Sequence, residues 1–135
     1  MFLLDTNTCI RILNGGSPKL IARLRQLDPS NIRLCSIVIA ELYYGARRSS
    51  RVEDNLKLLK KFFEVFVSIP FDDLCAEHYG AVRGELEAAG TPIGPNDLMI
   101  AATARAHDLV LVTHNTRGFG RVAGLRLQDW EKDAS

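Results

Sequence analysis

The sequence predicts an α/β domain, with a mainly parallel central sheet flanked by helices. Five apolar runs, at Phe2–Leu4, Ile32–Cys35, Val65–Ile69, Leu109–Val112 and Leu125–Leu127, are strand-sized rather than helix-sized. Helix-length segments separate them, and strands alternating with helices return to one sheet in parallel. A chain of 135 residues with 47% hydrophobic residues has enough apolar material for one core, so residues 1–135 are expected to form a single domain.

The elements follow in order. Asp5 closes the first strand and reads as a cap for a helix through Cys9 to Leu13. Ser17 and Pro18 supply the N-cap and first residue of a helix ending near Leu27. In SIVIAELYYGA, after the second strand, Ile37, Val38 and Leu42 are bound for the core. Arg51 to Phe66 places Val52, Leu56, Leu59, Phe63 and Phe66 at helical spacing, with Lys57, Lys60, Lys61 and Glu64 outside. Asp72 caps a helix to about Ala89, stopped by Gly90 and Pro92, and Pro95 opens the next. No repeat, low-complexity tract or linker interrupts the pattern.

A net charge of +1 sets aside the strongly basic type of nucleic-acid-binding domain, so any such role rests on local residues. Cys9, Cys35 and Cys75 are odd in number and far apart, fitting neither a disulfide framework nor paired zinc-ligand spacing. They are expected to be buried thiols in a reducing cytoplasm. MFLLDTNT lacks the basic start and apolar run of a signal peptide, and no segment approaches the roughly 20 apolar residues of a membrane span. The expectation is a soluble, cytoplasmic protein. His78 and His107 read as ordinary helix residues, and His114 as a surface-loop residue.

Three acids stand out. Asp5 sits at the carboxyl end of the first strand, where open parallel sheets form their ligand crevice. Glu41 is the one charge in an apolar helical segment, which calls for a cation nearby, either a basic side chain or a bound metal. Asp97 follows Pro95 at a helix N-terminus, where the backbone dipole favours negative charge. Each has a plainer reading as cap or salt-bridge partner. Together at one sheet mouth they would repel, and such clusters persist when a hard divalent cation, Mg2+ or Mn2+, neutralises them.

At these residues the chain resembles PIN-domain ribonucleases, in particular the toxins of VapBC-type toxin–antitoxin pairs. The resemblance runs through LDTN (4–7), AELYYGARRS (40–49), PIGPNDLMIAATA (92–104), VTHNTRGFGRV (112–122) and LRLQDW (125–130). It implies metal-binding and catalytic roles for Asp5, Glu41 and Asp97, with RNA hydrolysed to 5′-phosphate and 3′-hydroxyl ends. It further implies a homodimer, a cognate antitoxin, and contact with operator DNA only through that antitoxin. Many relatives carry a fourth acid where this chain has Asn115; here that residue is either a neutral fourth oxygen ligand or a loop turn. Thr6, Asn7 and Thr113 are candidate hydrogen-bond partners of the carboxylates, and helix or turn caps otherwise.

Arg47, Arg48, Arg51, Lys57, Lys60 and Lys61 form one basic group, and Arg117, Arg121 and Arg126 a second around the Asn115 loop. They suit phosphates on either side of an acidic centre, or else a solvated surface. Tyr43 and Tyr44 suit bases, partners or core. PIGPND and THNTR look most like members that cut initiator tRNA in its anticodon loop, and single-stranded loops can enter a crevice closed to a duplex. The competing reading is a non-catalytic module that binds RNA or, with an antitoxin, operator DNA. A phosphatase is disfavoured because DTNT lacks the second aspartate of D-x-D, and a flap-type nuclease because the chain is too short.

Overall fold

The computed structural model describes residues 1–132. Its order is β1 (Phe2–Leu4), α1 (Thr6–Asn14), α2 (Pro18–Arg25), a 3-10 turn (Pro29–Asn31), β2 (Ile32–Cys35), α3 (Ser36–Arg47) and α4 (Val52–Val65). There follow β3 (Val67–Ile69), α5 (Asp73–Ala88), α6 (Pro95–Ala106), β4 (Val110–Val112), α7 (Thr116–Phe119) and β5 (Leu127–Gln128). All five strands pair in parallel, in the order β3-β2-β1-β4-β5. The sheet is thus parallel throughout. Leu3, Leu4, Leu34, Leu111 and Val112 are buried in it. Strands covered on both faces read as unbroken apolar runs rather than alternating ones, which is why they were visible in the sequence.

Three strands differ from expectation at their boundaries, β4 by one residue, since it starts at Val110 rather than Leu109. Val65 belongs to the last turn of α4, so β3 starts at Val67, and the last strand is Leu127–Gln128 rather than Leu125–Leu127. An apolar run cannot separate the end of a buried helix from the start of a strand.

Strand order fixes where a ligand can lie. The chain lays β2 and β3 on one side of β1, then crosses to the other side for β4 and β5. The gap beyond the carboxyl ends of β1 and β4 is therefore the topological switch point, where open α/β sheets form their crevice. Asp5 follows β1 there and Thr113 follows β4.

The crevice has rigid walls. In α6, Leu98, Ile100, Ala101, Ala102, Thr103 and Ala104 are all buried, a helix apolar nearly all round because it packs against α3, α5 and β4 together. Gly90, at φ 70°, ends α5 and lets the chain turn back into α6. Behind β1 and β4, buried Phe119 and Trp130 anchor the C-terminal loops, the Trp130 ring meeting Phe2 edge-on at 5.2 Å.

Candidate active site

Asp5 is both cap and crevice residue. Its backbone N–H continues the ladder by donating to the Val112 carbonyl at 3.1 Å, and its Oδ1 accepts the Thr8 backbone N–H at 2.8 Å. The Thr8 hydroxyl donates to the Val112 carbonyl at 3.1 Å, tying the first turn of α1 to β4. Thr113, itself buried, holds the Asp5 carboxylate with its side chain and accepts the Asn115 N–H on Oγ1 at 3.0 Å. The carboxylate is thus fixed by α1 on one side and the β4 loop on the other.

Glu41 lies half-buried on α3 rather than in the core. Its Oε1 accepts the Thr6 hydroxyl at 2.5 Å. Asp97, also half-buried, stands in the first turn of α6 after Gly94, a cap residue without a side chain to satisfy the helix end. Burial pushes the Asp5 carboxyl above its ordinary range against the pull of the Thr113 and Thr8 hydrogen bonds, with the Glu41 charge adding to the rise. Burial also pushes Asp97 up, and the charges of Glu41 and Asp5 push it further. Elements from three parts of the chain therefore bring three carboxylates within range of one another's charge.

The basic partner that would make Glu41 an internal salt bridge is not there: among the described residues no Lys, Arg or His nitrogen lies within 4.0 Å of any of the three carboxylates. An all-carboxylate donor set without a protein cation fits a hard divalent metal ion. The oxygens of the three acids do not all lie within 4.8 Å of one another. An ion shared by all three would therefore reach at least one of them through one of the waters that Mg2+ keeps.

The supporting residues divide. Thr6 donates to the Glu41 carboxylate, and Thr113 stands beside that of Asp5. Asn7 is exposed and, with Arg11, His114, Asn115 and Glu131, lines an adjoining cleft of about 590 Å3. Asn115 Oδ1 accepts the Gly118 N–H at 3.2 Å and caps α7, which is the turn reading of that residue. His114 is exposed and engages Asp129 at 2.9 Å and Glu131 at 3.6 Å rather than an acid of the crevice. Thr8 was not singled out in the sequence; its signal was the third place after a capping aspartate.

The basic residues divide too. Arg47 and Arg48 are exposed at the end of α3, about 9 Å along the helix from Glu41 by axial rise. The Arg48 guanidinium lies 5.2 Å from the ring centre of Tyr44, and Tyr43 and Tyr44 are both exposed. Arg117 is exposed next to the Asn115 cap. Arg121 donates to the Pro92 carbonyl at 3.3 Å, joining the loop after α7 to the loop that leads to Asp97. Arg126 does not belong with this group: it precedes β5, at the opposite end of the sheet, and pairs with Asp108 at 3.0 Å.

A Thr113→Val variant isolates one of these contacts. It is expected to cost about 1–3 kcal/mol, because a buried carboxylate and the Asn115 N–H both lose a partner. Urea unfolding of the variant checks this, and a loss below about 0.5 kcal/mol would show that Thr113 does not hold Asp5.

The chain belongs to the PIN-domain family, whose model matches residues 2–125. It is similar to the "tRNA(fMet)-specific endonuclease VapC" of Salmonella typhimurium, at 41% identity over 96% of this chain and 97% of that one. It is 39% identical to "Ribonuclease VapC2" of Rickettsia felis, over 98% of this chain and 99% of that one. Among solved structures, the DNA-bound VapBC of Salmonella typhimurium matches with a TM-score of 0.91 at 40% identity, covering 96% of this chain and 97% of that one. The Rickettsia felis VapBC complex on a promoter DNA fragment matches with a TM-score of 0.90 at 38% identity, covering 96% and 98%.

Proposed function

We propose that this chain is the toxin of a VapBC-type pair, a divalent-metal-dependent endoribonuclease that inhibits translation by cutting RNA, with the initiator tRNA anticodon loop as its target. The observation that carries the reading is the approach of Asp5, Glu41 and Asp97 at the switch point of a parallel sheet, with no Lys, Arg or His nitrogen among the described residues within 4.0 Å of them. Family membership and similarity to proteins named as VapC ribonucleases support it.

In this reading Asp5, Glu41 and Asp97 hold Mg2+, or Mn2+ in its place. Such an ion, when bound, would supply Lewis-acid activation of a water and offset charge on the phosphodiester. The protein's own part is positioning. Thr113 and the first turn of α1 orient Asp5, Thr6 orients Glu41, and the buried body of α6 holds Asp97. Arg47, Arg48 and Arg117 take phosphates on either side of the crevice, and Arg121 steadies the loop before Asp97. A single-stranded RNA loop is the substrate shape that fits, because its backbone can bend into the opening.

In this reading the antitoxin takes a groove next to the site as its seat. A groove of about 270 Å3 is lined by Ile10, Leu13, Glu41, Leu42, Leu58 and Leu59 among others. An apolar antitoxin segment in this groove would place an arginine or lysine beside Glu41 and substitute its charge for the metal's. The reading includes a homodimer in the cytoplasm, operator DNA bound only through the antitoxin, and residues 1–135 acting as one PIN domain. No helix among the described residues is long and apolar enough to cross a membrane. Expression of the chain alone should arrest bacterial growth, and co-expression of the cognate antitoxin should restore it; normal growth with soluble toxin present would count against the toxin reading.

Asn115→Asp tests the fourth-ligand correspondence. One carboxylate oxygen can keep the Gly118 cap while the other adds charge at the crevice, so Mg2+ or Mn2+ affinity should rise. Unchanged affinity by calorimetry would leave residue 115 a helix cap and nothing more.

A further inference from the structure

We infer that Asp72, Cys75 and His107 form a second metal site, for a borderline-soft divalent ion of the zinc class, apart from the carboxylate crevice. One ligand atom from each residue lies within 4.8 Å of the other two. The Nε2 of His107 faces the Asp72 carboxylate at 3.6 Å, too long for a hydrogen bond. It is buried, with no hydrogen-bond partner among the described residues. A buried nitrogen left unpaired is costly, and coordination by a cation between it, the carboxylate and the thiol is the arrangement that uses all three.

The fold makes the cluster. Asp72 caps α5 by accepting the Cys75 N–H at 3.0 Å, which sets carboxylate and sulfur on the same first turn. The antiparallel hairpin of α5 and α6 then brings His107, one residue beyond α6, over that turn. A helix N-terminus favours the two anionic ligands, carboxylate and thiolate. One sulfur, one imidazole and one carboxylate select zinc-like ions rather than Mg2+, whose ligands are all oxygen. The fourth position is left to water, and the half-exposed side chains of Asp72 and His107 provide entry. On binding, the Cys75 S–H bond breaks, its proton goes to solvent and the sulfur bonds the metal.

His107 lies ten residues after Asp97, about 15 Å along the helix axis, so this site cannot share an ion with the crevice. Its effect is a clip between the start of α5 and the end of α6, closing the hairpin that presents Asp97 at its far end.

Titration of the reduced, full-length protein with Co2+ tests the inference. One equivalent should give thiolate-to-cobalt charge-transfer absorption, removed by added Zn2+. Cys75→Ser should abolish the band, and His107→Ala and Asp72→Asn should weaken Co2+ binding by at least about tenfold, Asp72→Asn while keeping the helix cap. Asp97→Asn and Cys35→Ser should leave the band in place. Folded wild type that shows no such band with Co2+ in excess, or a band that survives Cys75→Ser, overturns the site. If Cys75→Ser does not fold, an undiminished affinity in His107→Ala does so instead.

Discussion

Asp97→Asn is expected to lower RNA cleavage in Mg2+ by more than about a hundredfold while the protein stays folded. Loss of a residue that merely orients a metal ligand typically costs 10–100-fold, and Asp97 is proposed as a ligand itself. The fold should tolerate the change, because Asp97 makes no ion pair among the described residues and asparagine nearly matches its volume. Glu41→Gln should behave alike. Asp5→Asn should lose cleavage and still cap α1, since asparagine caps as well as aspartate. Single-turnover cleavage of an RNA hairpin gives the comparison, and a rate within about tenfold of wild type would take Asp97 out of the mechanism.

The second large effect is on stability. Mg2+ binding only the native state at tenfold its dissociation constant should stabilise the protein by about 1.4 kcal/mol. For a domain of this size that raises Tm by about 3–6 °C. Without metal, burial and mutual repulsion raise the Asp5 and Asp97 carboxyls above their ordinary 3.8. The folded chain then holds protons that the unfolded chain has released, so the contribution of these groups is most favourable below about 3.8 and is lost as pH rises through their raised values. Asp97→Asn in EDTA at neutral pH should accordingly melt at or above wild type, and gain little from Mg2+. Scanning calorimetry in EDTA and in Mg2+ decides it. A variant destabilised in EDTA with an undiminished Mg2+ response would make Asp97 a structural residue of the first turn of α6.

Much of this architecture was legible in the residues for physical reasons. The three inner strands β2, β1 and β4 showed because both faces of the sheet are covered there, and the helix starts at Ser17, Asp72 and Pro95 because caps and first-turn prolines leave local signatures. Asp5 and Asp97 could be placed because one ends an apolar strand and the other begins an apolar helix. Glu41 was placed on the right element, but an apolar run does not reveal that its one charge is half-exposed and paired with Thr6.

What escaped was long-range. That Thr113 holds Asp5 depends on β4 lying beside β1, and that Arg126 faces away depends on which end of β5 it occupies. The Cys75–His107 approach depends on the α5–α6 turn; spacing rules look for ligands close together in sequence, and 32 residues separate this pair. Of the two readings of Asn115, the turn is the one a local contact displays, its Oδ1 accepting the Gly118 N–H; the ligand reading is left to Asn115→Asp.

The most direct test of the account is whether the purified wild-type chain cuts an initiator tRNA transcript with Mg2+ and without EDTA. Endonucleolytic cleavage is expected that EDTA stops, that excess Mg2+ or Mn2+ restores, and that Asp97→Asn lacks in the same preparation. Cleavage that continues undiminished in EDTA, or is equal in wild type and Asp97→Asn, would contradict a metal-dependent centre built from Asp5, Glu41 and Asp97.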